Sequence, residues 1–239
     1  MARNKSHFQF KKFTVCHQNS TMKVGTDGVL LGAWAAKDNS PKSILDVGTG
    51  SGLIALMLAQ RCPMAYILGI DIHAPSIEDA KLNAQNLSFE NHVEMTVADF
   101  VEFKIDNEFE CIISNPPYFA TALLSDKKDK NRARHQGHLN MKNFIQKAES
   151  ILSKKGIISL ILPTKEMLET IEIAKEFDLF PYRICDIKSS EDQEVIRKMV
   201  EFSRCKVENI IQENLIIYQS ERVYTEAYKD LTKDFYLNF

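Results

Sequence analysis

Short apolar runs alternate with amphipathic stretches along most of the chain. SILDV (43–47), AYILGIDI (65–72), HVEMTVAD (92–99), FECIISN (109–115) and GIISLILP (156–163) have the length and composition of strands. Between them LIALMLAQR (53–61) reads as a buried helix. SIEDAKLNAQNL (76–87), MKNFIQKAESIL (141–152) and KEMLETIEIAKEF (165–177) read as helices with a polar face. LFPYRICDI (179–187), RKMVEFSRC (197–205) and ENLIIYQ (213–219) read as the last strands, and YTEAYKDLTKDF (224–235) as a terminal helix. Upstream, TDGVLLGAWAAK (26–37) predicts a short helix capped by Thr26 or Asp27, ended by the turn DNSP (38–41). The polar stretch 119–139 has no period. Strands alternating with helices predict βαβ units and a mostly parallel sheet, with ligands beyond the carboxyl ends of its strands. The last two strands have no helix between them, which predicts an antiparallel hairpin at one edge.

Composition narrows the class. The 239 residues are 44% hydrophobic and 26% charged, and 30 Lys+Arg against 32 Asp+Glu leave a net charge of -2. A disordered, collagen-like or strongly basic protein is excluded, and the length suffices to bury a core without staples. The five cysteines, Cys16, Cys62, Cys111, Cys185 and Cys205, are odd in number and form no C-x-x-C pair. That argues against a disulfide framework or a zinc site and for a reducing compartment. The basic segment MARNKSHFQFKK lacks the apolar region of a signal peptide, and no run approaches the ~20 residues that span a bilayer. A cytoplasmic protein without a metal, a membrane attachment or an obligate protein partner is expected.

The strand SILDV runs into Gly48-Thr49-Gly50-Ser51-Gly52 and then a helix. Glycines at such a turn let a ligand approach the backbone. Leu53 stands where a dinucleotide fingerprint needs its third glycine, so the pattern is D-x-G-x-G-x-G, beginning at Asp46. This resembles motif I of the S-adenosylmethionine-dependent methyltransferases. Asp71, followed by Ile72, ends the second strand, where a carboxylate can accept from both ribose hydroxyls. Asp99-Phe100 ends the third, placing a carboxylate for the adenine amine and a ring to stack on it. Asp46, Gly48, Thr49, Gly50, Gly52, Asp71, Ile72, Asp99 and Phe100 are therefore assigned to the cofactor. Asp46 has a second reading, as a residue that orients the loop by bonding to backbone amides.

FECIIS runs into Asn115-Pro116-Pro117-Tyr118. Paired prolines end the strand and stiffen the backbone. The Asn115 amide oxygen and the Pro116 carbonyl are two acceptors that can hold both hydrogens of a planar amino group, while Tyr118 stacks on its ring. An amine conjugated to a ring is a poor nucleophile. Acceptors aimed at its N–H groups favour pyramidal geometry and free the lone pair, which is positioning and preorganisation rather than strong-base catalysis. This matches motif IV of the amino-group methyltransferases, which act on adenine N6, cytosine N4 or glutamine amide. Asn115, Pro116 and Tyr118 are the candidate catalytic residues, with Asn115 also beside the cofactor.

FQFKKFTV (8–15), the segment Met22 to Gly28, and the C-terminal YTEAYKDLTKDFYLNF join these motifs in a resemblance that covers essentially the whole chain. The chain resembles the bacterial tRNA1(Val) adenine N6-methyltransferase family. The resemblance implies a Rossmann-like class I methyltransferase with a seven-stranded, mostly parallel sheet and helices on both faces. It implies a single domain over 1–239, with a core at 43–239 and an extension, 1–42, at the cofactor and substrate mouth. It also implies S-adenosylmethionine as cofactor, transfer to N6 of adenine 37 of tRNA, and placement of Gly25, Thr26 and Asp27 near the methionine end.

DKKDKNRARHQGH (126–138) sets Lys127, Lys128, Lys130, Arg132 and Arg134 against two acids just after the NPPY motif. Lys127, Lys128, Arg132 and Arg134 are candidate phosphate contacts, with Tyr118 and Phe119 as stacking rings for a splayed base. Three rivals share features of the chain. A release-factor glutamine methyltransferase carries a sizeable N-terminal helical domain, for which 1–42 is too short. A DNA adenine methyltransferase adds a recognition domain, for which little length remains. An RNA-binding pseudo-methyltransferase needs neither motif intact.

Overall fold

A computed structural model describes residues 6–37, 39–89, 92–116 and 140–239. Near its start the chain folds into a hairpin. β1 (His7–Gln9) and β2 (Thr14–Cys16) pair antiparallel with Phe8 opposite Val15. Phe10, Phe13 and Val15 bury with Leu56, Met57 and the C-terminal Phe235, so both ends of the chain pack on one patch.

Helix α1 (Thr26–Trp34) follows. Its cap is Gly25, in extended conformation and without a side-chain bond, rather than Thr26 or Asp27. Asp27 is inside the first turn, where its carboxylate meets Arg197 at 3.1 Å. The alternating segments then form β3 (Ser43–Val47), α2 (Leu53–Arg61), β4 (Tyr66–Asp71), α3 (Ala74–Gln85), β5 (His92–Val97) and β6 (Phe109–Ser114). After α4 (Met141–Ile151) come β7 (Leu152–Pro163), α5 (Thr164–Lys175), β8 (Phe180–Lys188), β9 (Val195–Ser203) and β10 (Ile211–Ile216). A short hairpin, β11 (Tyr218–Ser220) with β12 (Val223–Tyr224), leads to α6 (Glu226–Thr232).

The main sheet has eight strands in the order β10-β8-β9-β7-β6-β3-β4-β5. The expected class holds with eight strands in place of seven, and its antiparallel hairpin is β8 with β9 rather than the last two strands. The last two strands do not pair with each other. β9 is antiparallel to both β7 and β8 and lies between them, while β10 pairs parallel with β8 at the edge. The physical reason lies in β10. Glu213 reaches the Arg183 guanidinium of β8 at 3.1 Å and the Trp34 indole N–H at 2.5 Å. Leu215 and Ile217 bury in the same cluster as Tyr228 of α6.

Successive strand residues point to opposite faces, and the core divides accordingly. Ile44, Ile67, Cys111 and Ile157 pack against α1, α2, α3 and α6. Leu45, Leu68, Ile112 and Ile158 pack against α4 and α5. Because β3 to β7 are mutually parallel, the loops after Val47, Asp71, Val97, Ser114 and Pro163 open at one edge of the sheet. That edge holds the candidate residues.

Candidate active site

The turn after β3 is built from left-handed backbone. Gly48, Gly50 and Gly52 have φ of +71°, +55° and +84°, a region in which any side chain is strained. Gly48 and Thr49 donate their N–H groups to the Ile70 carbonyl at 2.8 and 2.9 Å, tying the turn to β4. Gly52 is the cap of α2 and offers no side-chain bond, so the first turn of that helix presents backbone N–H groups. The turn also lies close to the sheet. A Cβ on Gly69 would sit 2.5 Å from the Met95 sulfur and 2.9 Å from Thr49 Oγ1.

Asp46 is fully buried beneath this turn. Its Oδ2 accepts from the Thr49 hydroxyl at 2.6 Å and from Ala55 N–H at 3.1 Å. Its Oδ1 has no partner among the described residues. Burial pushes the carboxyl up to about 7 against the opposing pull of those two bonds, and the nearby Asp71 charge adds to the rise. Asp46 thus bonds the loop through one oxygen, as its second reading expected, and leaves the other without a partner among the described residues.

Asp71 closes the second side. Oδ2 accepts from Gly50 N–H at 2.9 Å and Oδ1 from His73 N–H at 2.8 Å. Each carboxylate oxygen accepts twice, so a lone pair remains on each for the two hydroxyls of a ribose. Ile72 is 55% exposed beside it, an apolar surface for a base. Asp99 lies near the start of the loop after β5 and accepts from Val101 N–H at 2.9 Å. The ring expected to stack on adenine, Phe100, is only 4% exposed and packs tilted against Phe144 of α4 at 5.2 Å. Ile72 and Val97, 48% exposed at the end of β5, are apolar side chains open at this edge.

Asn115 follows β6 directly, and its Oδ1 is buried without a partner among the described residues. Such an acceptor is costly unless a ligand fills it. The preceding Ser114 donates its hydroxyl to the Val47 carbonyl at 2.6 Å, bonding the end of β6 to the residue before Gly48. This tie was not evident in the sequence, where Ser114 read as one more strand position. Pro116 is buried beside Asn115. Tyr118, Phe119, Lys127, Lys128, Arg132 and Arg134 lie outside the described residues. Gly25, Thr26 and Asp27 stand at the start of α1, on the same rim through Arg197.

The donor set fits S-adenosylmethionine. There are backbone N–H groups at a helix start for a carboxylate, an orphaned acidic oxygen, a carboxylate with two spare lone pairs for a ribose, and an exposed apolar side chain for a base. Among the described residues no group of three or more His, Cys, Asp or Glu is arranged to hold a metal ion, and no helix is long and apolar enough to cross a membrane.

Comparison with known proteins agrees with this chemistry. Residues 20–181 match the methyltransferase small domain family. A tRNA1(Val) (adenine(37)-N6)-methyltransferase of Flavobacterium johnsoniae is 38% identical over 232 residues, covering 96% of this chain and 99% of that protein. The protein of the same name from Actinobacillus pleuropneumoniae serotype 7 is 38% identical over 234 residues, covering 97% of each. Among solved structures, a predicted O-methyltransferase from Agrobacterium tumefaciens superimposes with a TM-score of 0.65 at 20% identity, over 87% of this chain and 96% of that one. That likeness bears on the fold alone, which is the Rossmann-like methyltransferase fold. With the family model matching residues 20–181 and relatives aligned over nearly their full length, the chain belongs to the family of tRNA1(Val) (adenine(37)-N6)-methyltransferases.

Proposed function

We propose that this enzyme transfers the methyl group of S-adenosylmethionine to N6 of adenine 37 in tRNA1(Val). The observation that carries the chemistry is the buried, partnerless Asn115 Oδ1, held next to the glycine turn by the Ser114–Val47 bond. When bound, S-adenosylmethionine supplies an electrophilic methyl on a sulfonium and leaves as S-adenosylhomocysteine. Asn115 Oδ1 and the Pro116 carbonyl accept the two N6 hydrogens. They turn the lone pair out of conjugation, and the surplus proton departs to solvent once nitrogen has been alkylated.

Asp46, Gly48, Thr49, Gly50 and Gly52 hold the methionine end with Gly25, Thr26 and Asp27. Asp71 takes the ribose, and Ile72 and Asp99 take the adenine. Phe100 contributes from the core side, beneath Asp99. Tyr118 stacks on the target base with Phe119 beside it, and Lys127, Lys128, Arg132 and Arg134 hold phosphates. In this reading residues 1–42 extend a single catalytic domain and line its mouth. The protein works in the cytoplasm, off the membrane and without an obligate protein partner. Its five free cysteines, four of them buried, fit a reducing compartment.

The test is methyl transfer from labelled S-adenosylmethionine to unmodified tRNA1(Val), with nucleoside mass spectrometry and parallel DNA and release-factor substrates. N6-methyladenosine in the tRNA alone is expected. Label only in DNA or release factor would keep the amino-group chemistry and overturn the substrate. No label anywhere, with tRNA bound, would leave an RNA-binding protein without turnover.

A further inference from the structure

Helix α3 carries three buried polar side chains on its inner face, Ser76, Asp79 and Asn83, in line with the apolar Ile77 and Ala80. Spacings of three and four place them in one column along the helix. An acid and an amide at core positions are costly unless fully bonded. Here the bonds of Asp79 and most of those of Asn83 go to one segment, residues 16–21, while Ser76 Oγ also bonds His73 Nδ1 at 2.8 Å.

Asn83 Oδ1 accepts from Cys16 N–H at 2.8 Å, and its Nδ2 donates to the Cys16 carbonyl at 2.7 Å and to the Ser51 carbonyl at 2.9 Å. Asp79 Oδ2 accepts from Asn19 N–H at 2.8 Å and from Ser20 N–H and Oγ–H at 3.0 Å each. Its Oδ1 accepts from Asn19 Nδ2 at 3.0 Å. Ser76 Oγ accepts from Thr21 N–H at 3.4 Å. The segment continues to Gly25, and two residues on Asp27 pairs with Arg197 of β9. The strap from 16 to 27 is thus fastened at α3 and at β9. Where it enters α1 it passes close to α2, since a Cβ on Gly28 would meet Leu53 Cδ2 at 3.0 Å.

We propose that Asp79 and Asn83 are positioning residues for the cofactor. They touch neither cofactor nor substrate. They hold the strap and the glycine turn in the arrangement that receives the cofactor. The inference rests on the cofactor reading of that turn. A segment with three left-handed glycines is entropically costly to order, and it is held by bonds from outside, with Asn83 on Ser51 and Asp71 on Gly50 at its centre. If the turn is loose, the receiving arrangement is only a fraction of the population, and apparent affinity falls by that fraction.

The experiment is calorimetric titration of the full chain with S-adenosylhomocysteine, together with initial rates, for Asp79→Ala, Asn83→Ala and Asp79→Asn. The alanine variants are expected to raise Kd, and KM for S-adenosylmethionine, about tenfold. Their kcat at saturating cofactor and their KM for tRNA should stay within about twofold. Asp79→Asn keeps one oxygen for Asn19 N–H and the two Ser20 donors, and a flip of the exposed Asn19 amide meets the new Nδ2. It is expected within about twofold of wild type throughout. A fall in kcat with unchanged KM and Kd is the pattern of fewer folded molecules and would overturn the proposal. If the alanine variants do not fold, the surface double variant Asn19→Ala with Ser20→Ala removes two donors from the strap side. It should raise Kd about threefold, and an unchanged Kd would overturn the proposal. Wild-type protein that fails to bind S-adenosylhomocysteine would sink the cofactor reading itself. Normal wild-type binding with unaltered variants would sink only the positioning role.

Discussion

Gly50 donates its backbone N–H to Asp71 Oδ2 at 2.9 Å, so the acid that ends β4 and the turn that follows β3 form one unit. The carboxylate serves the turn and still has lone pairs for a ribose. Replacing Asp71 by alanine removes both roles. Bonds to a charged group contribute about 1.5–3 kcal/mol each, so a rise of about 100-fold in the Kd for S-adenosylhomocysteine is expected. Calorimetric titration reads it directly, and a rise below about threefold would take Asp71 out of the site.

Asn115 acts on the other substrate. Asn115→Ala should lower kcat by about 100- to 1,000-fold, the usual cost of losing one preorganised polar contact to the reacting group. S-adenosylhomocysteine should bind within about threefold of wild type. Single-turnover kinetics separates the two quantities. Near-normal turnover would remove the amino-group clamp.

Asp46 makes stability depend on pH. Its folded carboxyl is pushed up to about 7 by burial, above its ordinary value. The folded state therefore holds this proton more tightly than the unfolded chain. The stability it contributes is fully present below the ordinary carboxylate pKa and is lost as pH rises through about 7. Asp46→Asn cannot titrate. The difference in unfolding free energy, wild type minus variant, should decline between about pH 4 and pH 7 in urea titrations. A flat difference would contradict the assignment.

Glu201 is the centre of a network away from the site. At 1% exposure it accepts from Ala36 N–H at 2.7 Å, Tyr182 O–H at 2.7 Å and Ser159 O–H at 3.1 Å, and pairs with the buried Arg183 at 3.3 Å. Arg183 also lies over the Trp34 ring at 4.1 Å. Glu201→Ala leaves the buried Arg183 with only Glu213 as an acidic partner among the described residues and strands the Ala36, Tyr182 and Ser159 donors, and it should cost about 3–5 kcal/mol of stability. A loss below about 1 kcal/mol in denaturant unfolding would show that the network contributes little.

What was legible in the sequence follows from how each feature is encoded. β3 to β8 and the helices between them were readable because each is a local period bounded by a turn. The positions of the glycine turn, Asp71 and Asn115 at strand ends were readable because each closes or follows a short apolar run. The place of β10 was not. It is decided by Glu213 meeting Arg183 and Trp34, residues distant in the chain. Asp79 and Asn83 were missed because polar residues on an amphipathic helix pass for its solvent face. The signal was their phase, on the side of Ile77 and Ala80. Phe100 shows the converse, a ring read at a strand end that lies in the loop after β5 with its side chain in the core beside Phe144.

The enzyme, in this reading, methylates one amino group on one base. The most direct measurement compares wild-type enzyme on two unmodified tRNA1(Val) transcripts, one of natural sequence and one with adenine 37 replaced by guanine. Methyl transfer to the first, recovered as N6-methyladenosine, with none to the second, is the predicted result. Equal incorporation into both transcripts would contradict it.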